Sequence, residues 1–222
     1  MAAVLDSFLL IVAADLTARL FLRSPKARWF LVHGIVNVSI ATLAYPSATA
    51  GAAGCAAKPA DRQPALLAVL VHVYHVLAYN ITPDDWFHHL LFVPVLGIPT
   101  LMYNLSSCAD MVLFYGCGLP GAIMYAVLVV RSEPSFGRLG VVARFFEPGI
   151  SAFLYTVVRM PFLLRAAAAL PVAAENWFAA TIFKYLVKAN AIMYGIQFFW
   201  RFLKHTILIG LLRSPIHTMT DA

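Results

Sequence analysis

The sequence predicts an all-α fold, a polytopic membrane protein with about seven transmembrane helices, and three observations predict it. Of the 222 residues, 62% are hydrophobic and only 12% are charged, far less charge than a soluble domain carries. The mean hydropathy is +0.81. Apolar runs long enough to cross a bilayer recur along most of the length, separated by Pro, Gly and charge. In such a chain the formal net charge of +6 records topology rather than nucleic-acid affinity. A water-soluble enzyme or a DNA-binding protein is set aside, and no nucleic-acid partner is expected.

The spans are expected at roughly 4–22, 29–46, 65–80, 84–104, 108–130, 149–170 and 177–200. The first, "MAAVLDSFLLIVAADLTARLF", carries Asp6 in place of the positive n-region of a secretory signal, so a retained helix is expected. The second lies between Trp29 and Tyr45, the fourth between Trp86 and Tyr103, the seventh between Trp177 and Trp200. Such pairs mark headgroup levels. The last pair is 23 residues apart, about 34 Å at helical rise. In the fourth span Pro94, Gly97 and Pro99 form a weak spot, and in the fifth Gly116, Gly118, Pro120 and Gly121 of "GCGLPG" do the same. A kink, a close backbone approach or a cleft between the two helices are open there, beside ordinary small-residue packing. The longest connections are "PSATAGAAGCAAKPADRQP" and "RSEPSFGRLGVVARFFEPG". Cys55, Cys108 and Cys117 make no CxxC pair, so neither a disulfide framework nor a zinc site is suggested, and no metal is expected.

Lys and Arg set the orientation. With the N-terminus outside or lumenal, the inner side receives Arg23, Lys26, Arg28, Arg131, Arg138, Arg144, Arg201, Lys204 and Arg213. The outer loops receive Lys58 and Arg62. Nine against two is a positive-inside bias that puts the C-terminus on the cytosol-equivalent side. The choice between the endoplasmic reticulum and another organellar membrane stays open.

The stretch "ITPDDWFHHLL" (residues 81–91) concentrates polar groups at the inner start of the fourth span. Thr82 fits an N-cap, Pro83 the first helical position, and Asp85 falls three residues after the cap. Asp84 and Asp85 also suit the helix dipole. Helix initiation alone therefore accounts for the acids, but His88 and His89 run on into the apolar segment. Each lies four residues after an aspartate, where a carboxylate can orient an imidazole. Neighbouring side chains on a helix diverge by about 100°, so this pair does not make a zinc site. In the preceding helix His72, His75 and Tyr79 share a face. With a short connection between the helices, His75 and Tyr79 can approach His88 or His89, and His33 starts at the same membrane side. Ionisable groups at membrane depth are functional candidates; interhelical hydrogen bonding is the plainer reading.

The order of these features resembles the TLC-domain family, which includes ceramide synthases and translocation-associated membrane proteins. The likeness rests on "KARWFLVHGIVNVSIA", "HVYHVLAYN" and "DDWFHHLLFVPVL", and it covers residues 25–130, extending beyond them by helix count. It implies a single TLC-like membrane domain over 1–222. It also implies that His88 and His89 match the family's paired histidines, with a catalytic role if any residue has one. Ceramide synthases add a His-Asp set and a further Asp in the next helix. Here that region, "LFYGCGLPGAIMY", holds no His, Asp or Glu, and Asp110 belongs near the outer end. The resemblance thus implies the fold and a lipid-facing role without the complete acyl-transfer site.

Charges in the last spans add to this. Lys188 and Arg159 fall near mid-bilayer, where an unpaired cation costs several kcal/mol. Either they form a buried network with Asp15, or Lys184 and Lys188, with His72, His75 and Tyr79, line a site for an anionic lipid head. A retinal protein is disfavoured because Ala180, not an acid, stands one turn before Lys184. Haem between His33, His72, His75 and His88 is an alternative. Otherwise no resident cofactor is expected, with acyl lipid or acyl-CoA as the ligand. Two functions follow. One is a protein that binds, senses or modifies an acyl lipid, with membrane lipids as partners. The other is an accessory subunit of a larger organellar membrane complex, with other membrane subunits as partners.

Overall fold

A computed structural model describes residues 2–56, 59–103, 105–171 and 177–213. Among them no strand forms, and the helical segments join end to end into longer rods. These are α1 (Ala2–Phe21), α2 (Pro25–Ala56), α3 (Arg62–Ala78), α4 (83–102), α5 (Cys108–Ser132), α6 (Pro134–Ala169) and α7 (Trp177–Arg213). Among the described residues three segments are long and apolar enough to cross a membrane. They are Pro25–Gly51 of α2, α5 and α6, with mean hydropathies of 1.3, 1.9 and 1.4. The apolar runs of the outer rods are interrupted by charge: Asp6, Asp15 and Arg19 in α1, Lys184 and Lys188 in α7.

Both connections expected to be loops are partly helical. α2 passes through Pro46 and breaks at Gly51, whose φ of 66° is a conformation glycine adopts without strain. The stretch 134–148 forms the first half of α6, because its charges find partners. Glu147, 5% exposed, accepts from Arg131 (2.6 Å) and lies 3.6 Å from Arg201. Glu133, at the turn into α6, accepts the backbone N–H groups of Arg23 and Ser24, both at 3.0 Å. That carboxylate ties the α5–α6 turn to the α1–α2 turn. α7 likewise runs past the expected end at 200 to Arg213.

α4, α5 and α6 each contain a π-helical segment: Leu91–Gly97, Phe114–Gly118 and Phe153–Arg159. Each segment ends two residues before a proline, namely Pro99, Pro120 and Pro161. Proline has no N–H to give and its ring displaces the carbonyl four residues earlier. The preceding turn loses its normal bond and widens. All three rods therefore swell at one point.

α2 is the central rod. Val32, Val36, Ile40 and Ala44, each one turn after the last, are fully buried, the stripe a core-facing helix requires. Its neighbour α5 comes unusually close: a Cβ on Gly118 would sit 3.0 Å from Ala41 N and 3.1 Å from Ala41 Cα. Small residues permit this backbone approach.

One end of the bundle is tied by a covalent and polar knot that corrects the cysteine reading. Cys55 and Cys108 form a disulfide. Around it Ser107 Oγ donates to the Cys55 carbonyl (3.0 Å), Ala60 N to the Leu105 carbonyl (3.0 Å), and Asp61 N to Asp110 Oδ2 (2.9 Å). The two cysteines lie 53 residues apart in a chain whose spacing shows no pattern, so only the fold brings them together.

Candidate functional site

The opening helix of α4 explains one half of "ITPDDWFHHLL". Asp85 Oδ2 accepts from Thr82 N (2.9 Å) and Thr82 Oγ1 (2.7 Å), and Thr82 Oγ1 in turn faces Asp85 N (3.3 Å). Asp85 is a helix-start residue, and no hydrogen bond to His89 accompanies that role. The side chain of Asp84 lies outside the described residues.

The histidines form the centre of the bundle. His33, His72, His75 and His89 are 3%, 4%, 3% and 5% exposed, and His88 is half-buried. α3 and α4 run back on one another, so two pairs face across the gap. His72 Nε2 lies 2.9 Å from His88 Nε2, and His75 Nδ1 lies 3.0 Å from His89 Nε2. One ring of each pair must donate and the other accept. For the first pair the direction follows from the backbone. His72 Nδ1 is 2.5 Å from the Ala68 carbonyl, which can only accept. In the neutral ring Nε2 is then the acceptor, His88 Nε2 donates to it, and His88 Nδ1 is left to accept from Tyr194 Oη at 3.3 Å. A directed chain thus leads from the Tyr194 hydroxyl through His88 to His72. His89 Nδ1, buried, has no protein partner.

Trp29 corrects an expectation. It is 6% exposed and is no interfacial anchor: its indole stacks on His75 at 3.6 Å and meets His33 edge-on at 4.0 Å. His33 in turn stacks on Tyr125 of α5 at 4.5 Å. Aromatic faces thus hold the His33 ring and reinforce the hydrogen bond that holds His75. Tyr45, Trp86, Tyr103, Trp177 and Trp200 are exposed.

The expected charge network does not form. Asp15 pairs with Arg19 (2.8 Å) and accepts from Tyr74 (2.8 Å) and Tyr79. These four residues make a network beside the histidines, and Tyr79 belongs to it. Arg159 instead donates through Nε to the Gly116 carbonyl (2.8 Å) and through Nη2 to Asn190 Oδ1 (2.5 Å). Lys184 reaches the Ala168 and Leu170 carbonyls (3.2 and 3.5 Å) at the end of α6, where a cation suits the helix terminus. Lys188 lies over the Tyr185 ring at 5.6 Å. Neither lysine lines the cavities at the centre.

Those cavities arise where the π segments swell. One, of about 40 Å³, is lined by His33, His72, His88, Tyr125, Tyr155 and Arg159, among others. A second, of about 20 Å³, is mostly apolar and shares Phe92, Gly116, Cys117 and Arg159 with the first. Both exceed the roughly 10–15 Å³ one water needs. Phe92, Gly116 and Arg159 come from the three π segments. The cavities are lined from α2, α3 and α7 as well as from α4, α5 and α6, so the space at the prolines lies inside the bundle and is not a cleft between the fourth and fifth helices. Outside it, a groove of about 320 Å³ runs between α2 and α5 along Leu31, Ile35, Val38 and Val129, and Tyr125 lines both groove and inner cavity.

Asn37, Tyr155, Asn190 and Tyr194 are uncharged and stand in apolar runs, so the sequence does not single them out. Helical spacing carried the signal: Asn37 follows His33 by one turn, as Tyr194 follows Asn190. No protein-family model, curated protein or solved structure matches the chain.

Proposed function

We propose that the chain is a seven-span, TLC-like integral membrane protein that binds an acyl lipid, with the polar end of the lipid at the histidine centre. The observation that carries this reading is the pairing of His72 with His88 and His75 with His89 inside an apolar bundle. Buried imidazoles at membrane depth are costly to retain without a role. The α2–α5 groove supports it further. Its volume of about 320 Å³ lies in the range of ligand sites, and its walls are two rods apolar enough to face lipid. Tyr125, stacked on His33, stands between groove and centre. The acyl chain would lie in the groove and its head would pass Tyr125. His88 and His89 would then be the groups that hydrogen-bond the head or exchange a proton with it.

For orientation we propose the N-terminus outside or lumenal. The Cys55–Cys108 disulfide supports that side as the oxidising one, and the excess of Lys and Arg at the opposite ends agrees with it.

Native mass spectrometry of the full chain in mild detergent tests the function. The reading requires co-purified acyl lipid in the wild type and its loss in the His88→Ala/His89→Ala variant. A lipid-free wild type travelling with fixed partner subunits would favour an accessory subunit of a larger complex. A Soret band would point to haem instead.

A further inference from the structure

Arg159 is 2% exposed, and its guanidinium meets no carboxylate among the described residues. The ion pairs of the described residues use Arg19, Arg131 and Arg201 instead. Nε and Nη2 have neutral acceptors, but Nη1 has none. Tyr194 and Tyr155 lie against the guanidinium at 4.8 and 5.3 Å, which softens the burial of the charge without neutralising it. Arginine cannot shed its proton, and a buried cation lacking a counter-charge is strongly destabilising. Asn190 supplies a second orphan. Its Oδ1 must be the atom facing Arg159, since arginine has no acceptor, so its other terminal atom is the Nδ2 donor. That donor is buried and unpartnered. Two orphan donors and one uncompensated charge therefore belong to one hydrogen-bonded pair of side chains, of which Arg159 lines both cavities and Asn190 the apolar one.

We propose that Arg159 and Asn190 form the seat of a compact monoanion, the carboxylate of a free fatty acid. This rests on the acyl-lipid reading and narrows it to an acid rather than an ester or alcohol. Two carboxylate oxygens can accept from Nη1 and Nδ2 together while cancelling the charge. The cavity lined by both Arg159 and Tyr125 joins the seat to the wall of the α2–α5 groove, the side on which the first carbons of the chain would lie. A small inorganic anion has the same chemistry, and the experiment separates the two.

The test uses the full chain in nonionic detergent and chloride-free sulfate buffer, with decanoate, methyl decanoate and chloride as probes and thermal unfolding as readout. Decanoate is expected to raise the unfolding temperature saturably, and methyl decanoate is not. Arg159→Gln should weaken decanoate binding roughly tenfold or more. Asn190→Asp places a carboxylate on Arg159 from within. It should raise the unfolding temperature of the free protein and abolish the decanoate response, which decides the matter even if Arg159→Gln does not fold. A saturable chloride response with the same dependence on both variants, and none to decanoate, overturns the fatty-acid assignment and makes an inorganic ion the occupant; the acyl-lipid reading is decided separately by the native mass spectrum. Acid and ester binding alike, or undiminished decanoate binding in Asn190→Asp, overturns the proposal. Co-purified lipid in the native mass spectrum would still stand in that event.

Discussion

Thr82 and Asp85 show how one short motif divides between structure and function. Asp85 closes the first turn of α4 by accepting from both Thr82 N and Thr82 Oγ1. Asp85→Asn keeps an acceptor and loses the charge–dipole contribution, so it is expected to cost about 0.5–1 kcal/mol in denaturant unfolding, with lipid occupancy unchanged. A fall in occupancy without loss of stability would instead give Asp85 a role in orienting His89. Glu133 carries a pH dependence. The backbone N–H of Ser24, with those of Ser135 and Arg23, holds its carboxyl below the ordinary glutamate range. A carboxylate held low in the fold stabilises it above the unfolded-state value, and that contribution disappears as pH falls through the lower folded value. Thermal unfolding of the wild type should therefore shift downward as pH drops below about 4.3. The shift should be shallower in Glu133→Gln, which cannot titrate, and equal slopes in the two proteins would contradict the assignment.

Whole elements depend on where proline and glycine stand. The π segments of α4 and α5 were foreshadowed by Pro94, Gly97 and Pro99 and by "GCGLPG". The segment Phe153–Arg159 was not, because "FLYTVVR" holds neither residue and its cause, Pro161, lies beyond it. The extension of α6 back to Pro134 was hidden for another reason. The charges of 131–147 look like a loop until Glu147 is seen to meet Arg131 and Arg201. The contact of α2 with α5 gives a sharp contrast between two glycines of one segment. A Cβ on Gly118 would press on the backbone of Ala41, which cannot move aside, whereas one on Gly116 would rest 3.7 Å from Leu163 Cδ2. Gly118→Ala is expected to destabilise by about 1–3 kcal/mol. Gly116→Ala should be neutral or stabilising by about 0.5 kcal/mol. Equal effects in denaturant unfolding would show that the two rods do not approach as closely as Ala41 and Gly118 require.

At the scale of the molecule, the apolar periodicity gave the order and approximate limits of the rods, because burial in lipid and burial in a bundle both demand continuous hydrophobic faces. It gave the histidine centre as a possibility, since His72 and His75 share a face and a short turn brings His88 and His89 back to them. Partners from distant rods stayed hidden. The stacking of Trp29 on His75, the Arg159–Asn190 pair and the Cys55–Cys108 bond depend on tertiary packing, which no local spacing encodes. The account turns on the claim that an acyl ligand reaches the histidine centre through the α2–α5 groove. Photocrosslinking with a fatty acid carrying a diazirine near its carboxyl end tests it most directly. The expected adducts fall on peptides containing Tyr125, Phe92 or Tyr194, compete with unlabelled fatty acid, and disappear in His88→Ala/His89→Ala. Adducts confined to outward-facing residues such as Leu20, Leu77 or Phe153, unchanged in that variant, would contradict it.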